Sequence, residues 1–178
     1  MISRRAVTLS IPGALLSLAA PRVAAAAAPA SRELFTLARS SNANVVKYAV
    51  RVGKGGSLHS AEPVEAYWLM LAENGRREEL TWTERQLAYG FSVSDVNAQG
   101  CTLHLAACAD RELRIRSANG AYHAELAIAH QPVTLQRVFV QLESSALLPS
   151  VRHVEVSGVT ASGARISERI LPRRVRRF

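Results

Sequence analysis

Residues 112–128 read ELRIRSANGAYHAELAI, and this stretch holds the pattern that decides the fold. Apolar and polar side chains alternate in Glu112 to Ser117 and again in Tyr122 to Ile128, with Asn119-Gly120 between them. A period of two is that of a half-buried β-strand, and Asn-Gly favours a tight hairpin turn. The stretch therefore predicts two neighbouring antiparallel strands.

The same pattern recurs along most of the chain on both sides of this hairpin. Further strands are predicted at 46–52, 91–96, 101–107, 133–142, 151–156 and 165–170, and a more continuously apolar one at 64–72. The turn Asn74-Gly75 pairs 64–72 with a short strand at 77–80. Short strands separated by turn residues are typical of antiparallel β-sandwiches and β-barrels. We therefore predict a mainly β, single-domain antiparallel β-sandwich or β-barrel, and the sequence leaves these two forms open.

One segment departs from the β period and predicts a short helix from about Trp82 to Tyr89. Thr81 and Glu84 have the S/T-x-x-E spacing of a capping box, in which each side chain binds the other's backbone N–H at a helix start. Two turns of helix are too short to be stable alone. We therefore expect Trp82 and Leu87 to hold the helix to the sheet by packing.

The first thirty residues have the plan of a cleavable export signal. Arg4 and Arg5 are followed by the uncharged stretch Ala6 to Ala20, and small residues end the segment at Ala30. The paired arginines resemble a twin-arginine signal, which a receptor reads as an address. The stretch is too short and too interrupted to span a membrane. We expect removal of residues 1–30, no transmembrane segment in the mature chain, and a periplasmic or secreted single domain over 31–172.

The net charge of +8 sits mostly at the two ends of the chain. Three arginines lie within residues 1–30, and a basic tail at 173–178 carries Arg173, Arg174, Arg176 and Arg177. Without these seven, 15 basic residues face 14 acidic ones. A nucleic-acid binder needs its basic surplus on the folded domain, so we expect no nucleic-acid partner. The tail is expected to make at most weak contact with an anionic surface.

The two cysteines leave the question of a disulfide open. Cys101 and Cys108 are seven residues apart, which on one extended strand separates their α-carbons by roughly 23 Å. A disulfide requires α-carbons within about 7 Å. A bond between them therefore needs a bend, and the spacing favours two partly buried thiols.

Motifs for metal binding and catalysis are absent from the sequence. Its five histidines form no H-x-H or H-E-x-x-H pair, so no metal site or cofactor is predicted. There is no G-x-S-x-G elbow and no S-x-x-K motif. Glu78 and Glu79 are adjacent on a predicted strand and point to opposite faces, which does not suit a pair of catalytic carboxylates. No catalytic residue is predicted.

Polar and aromatic residues form the two most distinctive clusters, at 39–48 and at 63–90. They include the segments SSNAN at 40–44, PVEAYW at 63–68 and LAYG at 87–90. In this order they resemble a family of small bacterial exported proteins named domain of unknown function 4833, over about 34–142. The resemblance implies export and membership of that family, and it implies no mechanism.

These clusters supply the candidate ligand contacts. They are Arg39, Asn42, Asn44, Lys47, Tyr67, Trp68, Trp82 and Tyr89. Tyr67 and Trp68 lie on opposite faces of one strand, so one can anchor the core while the other lines a cavity. The alternative is that the aromatic residues only attach the short helix to the sheet, with the asparagines capping turns.

Together the observations predict an exported, β-rich, non-catalytic binding or interaction module. Its partner would be a small ligand or an envelope protein. Two other hypotheses stay open: a periplasmic enzyme acting on a cell-envelope component, and a structural partner-binding protein.

Overall fold

A computed structural model of the chain describes residues 32–53, 55–87, 89–143 and 150–171. These contain eleven β-strands, one α-helix and two short 3-10 turns. The elements are β1 Glu33–Arg39, β2 Asn42–Val50, β3 Val64–Met70, β4 Arg76–Glu79, α1 Trp82–Leu87, β5 Phe91–Asn97, β6 Gly100–Leu105, β7 Glu112–Ala118, β8 Ala121–Ile128, β9 Gln131–Glu143, β10 Ser150–Thr160 and β11 Arg165–Ile170, with 3-10 turns at Leu71–Glu73 and Ala106–Cys108. The predicted export signal and the predicted basic tail lie outside the described residues.

The strands form one curled, mixed sheet. Its order is β4-β3-β2-β1-β9-β8-β7-β6-β5, with β10 on β9 and β11 on β10. The described strand pairs are antiparallel except β1 with β9, which run parallel. The predicted mainly β single domain with one short helix is confirmed.

The long strand β9 makes the sheet fold back on itself. Its edge opposite β10 pairs with β8 over residues 131–134 and with β1 over residues 137–140. The sheet therefore divides at β9 into a half that ends at β3 and β4 and a half that ends at β5. The two halves face each other across the core, because Phe91 of β5 meets Tyr48 of β2 edge to face at 5.8 Å between ring centroids.

Residues 80–90 connect the two ends of the sheet, and we name them the closing segment. They lead from β4 to β5 and contain α1. Leu80 and Tyr89 are buried on either side of the helix. The prediction that Trp82 packs against the sheet is wrong, because Trp82 is 75% exposed. The closing segment is anchored by its flanking residues instead, and the side chain of Leu87 is outside the described part of the chain.

Tyr48 joins the closing segment to the centre of the sheet. Its side chain is fully buried, and its ring stacks on Phe35 at 4.6 Å between centroids. Its hydroxyl donates a hydrogen bond of 2.9 Å to the carbonyl oxygen of Tyr89. Burial raises the pKa of Tyr48 far above its usual value, so the hydroxyl keeps its proton. This buried bond satisfies the carbonyl of Tyr89, and it fixes where the closing segment crosses the core.

Tyr48→Phe tests that bond. We expect the variant to lose about 1–3 kcal/mol in the free energy of unfolding, because the buried carbonyl of Tyr89 loses its donor. Urea unfolding followed by far-ultraviolet circular dichroism measures the change. The matched control is Tyr67→Phe, which removes the hydroxyl of a half-buried ring and should cost less than about 0.5 kcal/mol. Equal effects in the two variants would contradict the role given to Tyr48.

Candidate functional site

Three of the eight predicted site residues come together in a packed cluster. The rings of Trp68 and Tyr89 meet edge to face at 4.9 Å between centroids, and the guanidinium carbon of Arg39 lies 4.6 Å from the centroid of Tyr89. Trp68 and Tyr89 are 8% and 5% exposed. This cluster attaches the closing segment to β1 and β3, which is the structural alternative considered for these aromatic residues.

The remaining predicted residues lie apart from that cluster. Asn42 accepts a hydrogen bond from the backbone N–H of Asn44 at 2.9 Å, and the Asn44 side chain accepts one from the N–H of Leu71 at 3.0 Å, so both cap turns. Lys47 forms an ion pair of 2.8 Å with Glu33 and stands opposite Tyr67 on β3. Trp82 projects into solvent from the start of α1.

Glu84 connects the helix start to the cluster. Its carboxylate accepts hydrogen bonds from the backbone N–H of Thr81 at 2.8 Å and the Thr81 hydroxyl at 2.9 Å, and the hydroxyl accepts one from the N–H of Glu84 at 3.3 Å. The predicted capping box is therefore present. The second carboxylate oxygen accepts a bond of 3.1 Å from the indole nitrogen of Trp68.

A groove lies where the two ends of the sheet approach each other, and we name it the seam groove. It has a volume of about 430 Å³. Its lining residues come from the segment before β3, from β3, β4 and β5, and from the closing segment: Arg51, Ala61, Glu62, Pro63, Val64, Glu65, Ala66, Tyr67, Arg77, Glu79, Leu80, Arg85, Gln86, Phe91 and Val93. Tyr67 is the predicted site residue that lines it, and on the other face of β3 Trp68 is in the core.

The charges of the seam groove are paired with one another. Three arginines and three glutamates line it. The ion pairs are Arg51 with Glu62, Arg51 with Glu65 at 3.0 Å, Arg77 with Glu65 at 3.1 Å and Arg85 with Glu79 at 3.5 Å. The guanidinium of Arg77 also lies 3.8 Å from the ring centroid of Tyr67. The lining therefore combines an apolar surface with charges that sum to zero.

Glu65 stands at the centre of these ion pairs. Burial alone would raise the pKa of Glu65, but hydrogen bonds from Arg77 and Arg51 outweigh it and hold that pKa below its usual value. The carboxylate is therefore ionised and engaged by two guanidinium groups. It serves to position Arg51 and Arg77 along the groove wall.

The thiols and the histidines take no part in the groove. Cys101 and Cys108 are both buried and not bonded to each other, and burial raises the pKa of each to about 11. Both therefore stay as neutral thiols. Within the described residues, no group of three or more potential metal ligands comes together. None of the helices described is both long enough and apolar enough to cross a membrane.

Glu84→Gln tests the electrostatic part of the closing segment. Burial would raise the pKa of Glu84, but the hydrogen bonds from Thr81 and Trp68 outweigh it and lower that pKa below the ordinary 4.5. A lowered pKa stabilises the fold at higher pH, and this stabilisation is lost as the pH falls through the folded-state value. We expect the variant to be less stable by about 1 kcal/mol at neutral pH, with the difference from wild type shrinking below about pH 4.5.

Urea unfolding at a series of pH values measures this difference. Glu112→Gln replaces an exposed carboxylate on β7 and is the matched control. A difference between wild type and Glu84→Gln that does not change with pH would contradict the electrostatic account.

Comparison with known proteins adds one finding to this geometry. The model of a protein family described as "Domain of unknown function (DUF4833)" matches residues 35–169. The match begins in β1 and ends in β11, so it covers the packed cluster, the closing segment and the seam groove. Neither the comparison with curated proteins nor that with solved structures gave a match. The chain belongs to the DUF4833 family.

Proposed function

We propose that this chain is an exported, non-catalytic binding module whose ligand lies in the seam groove. One observation carries the proposal: the two ends of the curled sheet meet at a concavity of about 430 Å³ that is lined by β3, β4, β5 and the closing segment. Ligand sites in proteins are concave, largely preformed and of this size. The hydrogen bonds of Tyr48 and Glu84 support a preformed shape, because they hold the segment that forms one wall.

The chemistry of the groove favours binding over catalysis. A general acid at neutral pH needs a carboxyl group whose pKa is raised, whereas that of Glu65 is lowered. The guanidinium groups of Arg51 and Arg77 are held by glutamates, and the two thiols are buried elsewhere with raised pKa values. These contacts support a binding module over the alternative of an enzyme acting on the cell envelope.

The balance of charges also indicates the kind of ligand. A charged ligand would have to break one of the ion pairs that Glu65 makes, at the cost of leaving a guanidinium group unpaired. An uncharged ligand can use the apolar surface of Tyr67, Phe91 and Val93 without disturbing them. We therefore propose an uncharged ligand.

Val93→Glu tests the location of the site. The uncharged fluorophore N-phenyl-1-naphthylamine should bind the wild-type groove with an increase in fluorescence. A carboxylate at position 93 should weaken this binding by about tenfold or more, because it adds an unpaired charge to an apolar wall. Val96→Glu lies on the same strand outside the groove lining and is the matched control.

A fluorescence titration of the three proteins measures the affinities, and circular dichroism checks that each is folded. Equal binding by wild type and Val93→Glu would place the fluorophore elsewhere and contradict the proposed site.

Export is the second part of the proposal. It is supported by the sequence pattern of residues 1–30, with Arg4 and Arg5 ahead of an uncharged stretch and small residues before Ser31. The first strand of the domain begins at Glu33, so cleavage after Ala30 would leave every described strand intact. We propose the periplasm or the outside of the cell as the location.

Replacing both Arg4 and Arg5 by lysine tests the export route. The substitution keeps the positive charge that an ordinary secretory signal needs and removes the paired arginines. We expect the variant to stay inside the cell as the full-length precursor, while the wild type is recovered outside the cytoplasm with Ser31 as its first residue. Arg22→Lys is the matched control and should be exported and processed like the wild type.

Cell fractionation with intact-mass measurement gives the result. Normal export of the double variant would contradict the twin-arginine route, and a full-length wild-type protein in the cytoplasm would contradict export itself.

A further inference from the structure

We propose that the ligand of the seam groove is an extended, uncharged polypeptide segment of a partner protein, which pairs as an added strand with the open edges of β3 and β5. The inference rests on the proposed function and names its ligand class. It depends on where the backbone groups of these two strands point, on the side chains around them and on the charge balance of the groove.

On β3, the groove exposes backbone that lacks a neighbouring strand among the described residues. β4 pairs with Tyr67 to Met70 and ends at Glu79, which leaves Val64 and the N–H of Ala66 without a strand partner on that side. The N–H of Arg51 donates to the carbonyl of Pro63 at 2.8 Å, so these two residues form a hydrogen-bonded pair between β2 and β3. That pair determines which residues of β3 bond to β2 and which point to the other side. Because hydrogen-bonded and non-hydrogen-bonded pairs alternate between antiparallel strands, the N–H and C=O groups of Val64 and Ala66 point away from β2 and toward the groove.

β5 has a second open edge, on the side away from β6. Within the described part of the chain, β5 pairs with β6 alone. The N–H of Ala106 donates to the carbonyl of Gly90 at 2.9 Å, so Gly90 and every second residue after it bond to β6. The N–H and C=O groups of Phe91 and Val93 therefore point away from β6. Both residues line the groove.

The open edges of β3 and β5, one from each half of the sheet, thus border the same groove. An open sheet edge is a template for another strand, and extended peptides bind proteins by adding to such edges. A lipid chain or a small apolar molecule would fill the volume and leave these N–H and C=O groups unpaired. A polypeptide strand supplies both donors and acceptors along its length.

The side chains around the edges define the composition of the segment. Phe91 and Val93 offer an apolar surface to the core-side face of an incoming strand, and the ring of Tyr67 borders its other face. The charges that border them are paired with one another, so a charged segment has no partner to gain. A segment that alternates apolar with uncharged polar residues suits this lining, because successive side chains of a strand point to opposite faces.

A synthetic peptide tests the inference. The probe is the acetylated and amidated heptapeptide Ser-Val-Thr-Val-Ser-Val-Thr, and a second peptide carries N-methyl groups on its three valines. We expect the first peptide to bind and to shift the backbone amide resonances of Val64, Ala66, Phe91 and Val93. N-methylation removes N–H donors and blocks strand pairing on that side. A third peptide carries N-methyl groups on its serines and threonines, whose N–H groups point to the opposite edge of the strand. At least one of the two methylated peptides should bind about tenfold more weakly than the first peptide.

A variant of the protein supplies the complementary test. Ala66→Pro removes an edge-facing N–H without breaking the pairing of β3 with β2. It should weaken peptide binding by about tenfold, and Ser167→Pro, on the outer edge of β11, is the matched control that should not. The methylated peptides do not depend on whether either proline variant folds.

The outcomes separate this inference from the proposed function. Binding of all three peptides with equal affinity would show that the edges are not used and would overturn the inference. Failure of every peptide to bind, with N-phenyl-1-naphthylamine still bound in the groove, would also overturn it and would leave the proposed function standing. Failure of the peptides and the fluorophore together would overturn both.

Discussion

The hydrogen bond from the buried hydroxyl of Tyr48 to the carbonyl of Tyr89 is the contact on which the rest of the structure depends. Tyr48 sits on β2 between Phe35 of β1 and Phe91 of β5, so its ring touches both halves of the curled sheet. Its hydroxyl holds the segment that connects the two ends of that sheet. One side chain therefore couples core packing to the position of the closing segment.

The closing segment in turn determines that the sheet stays open at one place. Its chain crosses from β4 to β5, and Glu84 binds it to Trp68 of β3. β4 is only four residues long and covers β3 from Tyr67 onward. The edge at Val64 to Ala66 is left beside the edge of β5, and the seam groove lies between them. The groove is thus a consequence of strand length and of one fixed connection.

Much of the fold could be predicted from the sequence because most of the described strands present an alternating or continuous apolar pattern between turn residues. The residues of β4 are all charged, and that strand could be predicted only from the Asn74-Gly75 turn before it. The strand β1 was not predicted. Leu34, Phe35, Leu37 and Ala38 are all buried and spaced as on a helix, because β1 lies between β2 and β9 and its register shifts at both ends. Its parallel pairing with β9 joins strands that are about 100 residues apart in the chain, and no local pattern reports such a contact.

The candidate site was less predictable than the fold. The capping box of Thr81 and Glu84 and the opposite faces of Tyr67 and Trp68 follow from local spacing, and the structure has both. Local spacing did not reveal that Phe91 and Val93 would face β3, since this depends on how far the whole sheet curls. Trp82 resembled a core residue by its type alone and is exposed. Ligand binding by the eight predicted residues stays a prediction.

Hydrogen exchange of individual backbone amides tests the central claim, an open seam between β3 and β5, most directly. In the ligand-free protein, the account predicts fast exchange at Val64, Ala66, Phe91 and Val93, whose N–H groups face the groove. Their neighbours Glu65 and Ser92 should exchange slowly, because their N–H groups pair with β2 and β6. Slow exchange at all six amides would show that the two edges are paired in solution, and it would contradict the open seam.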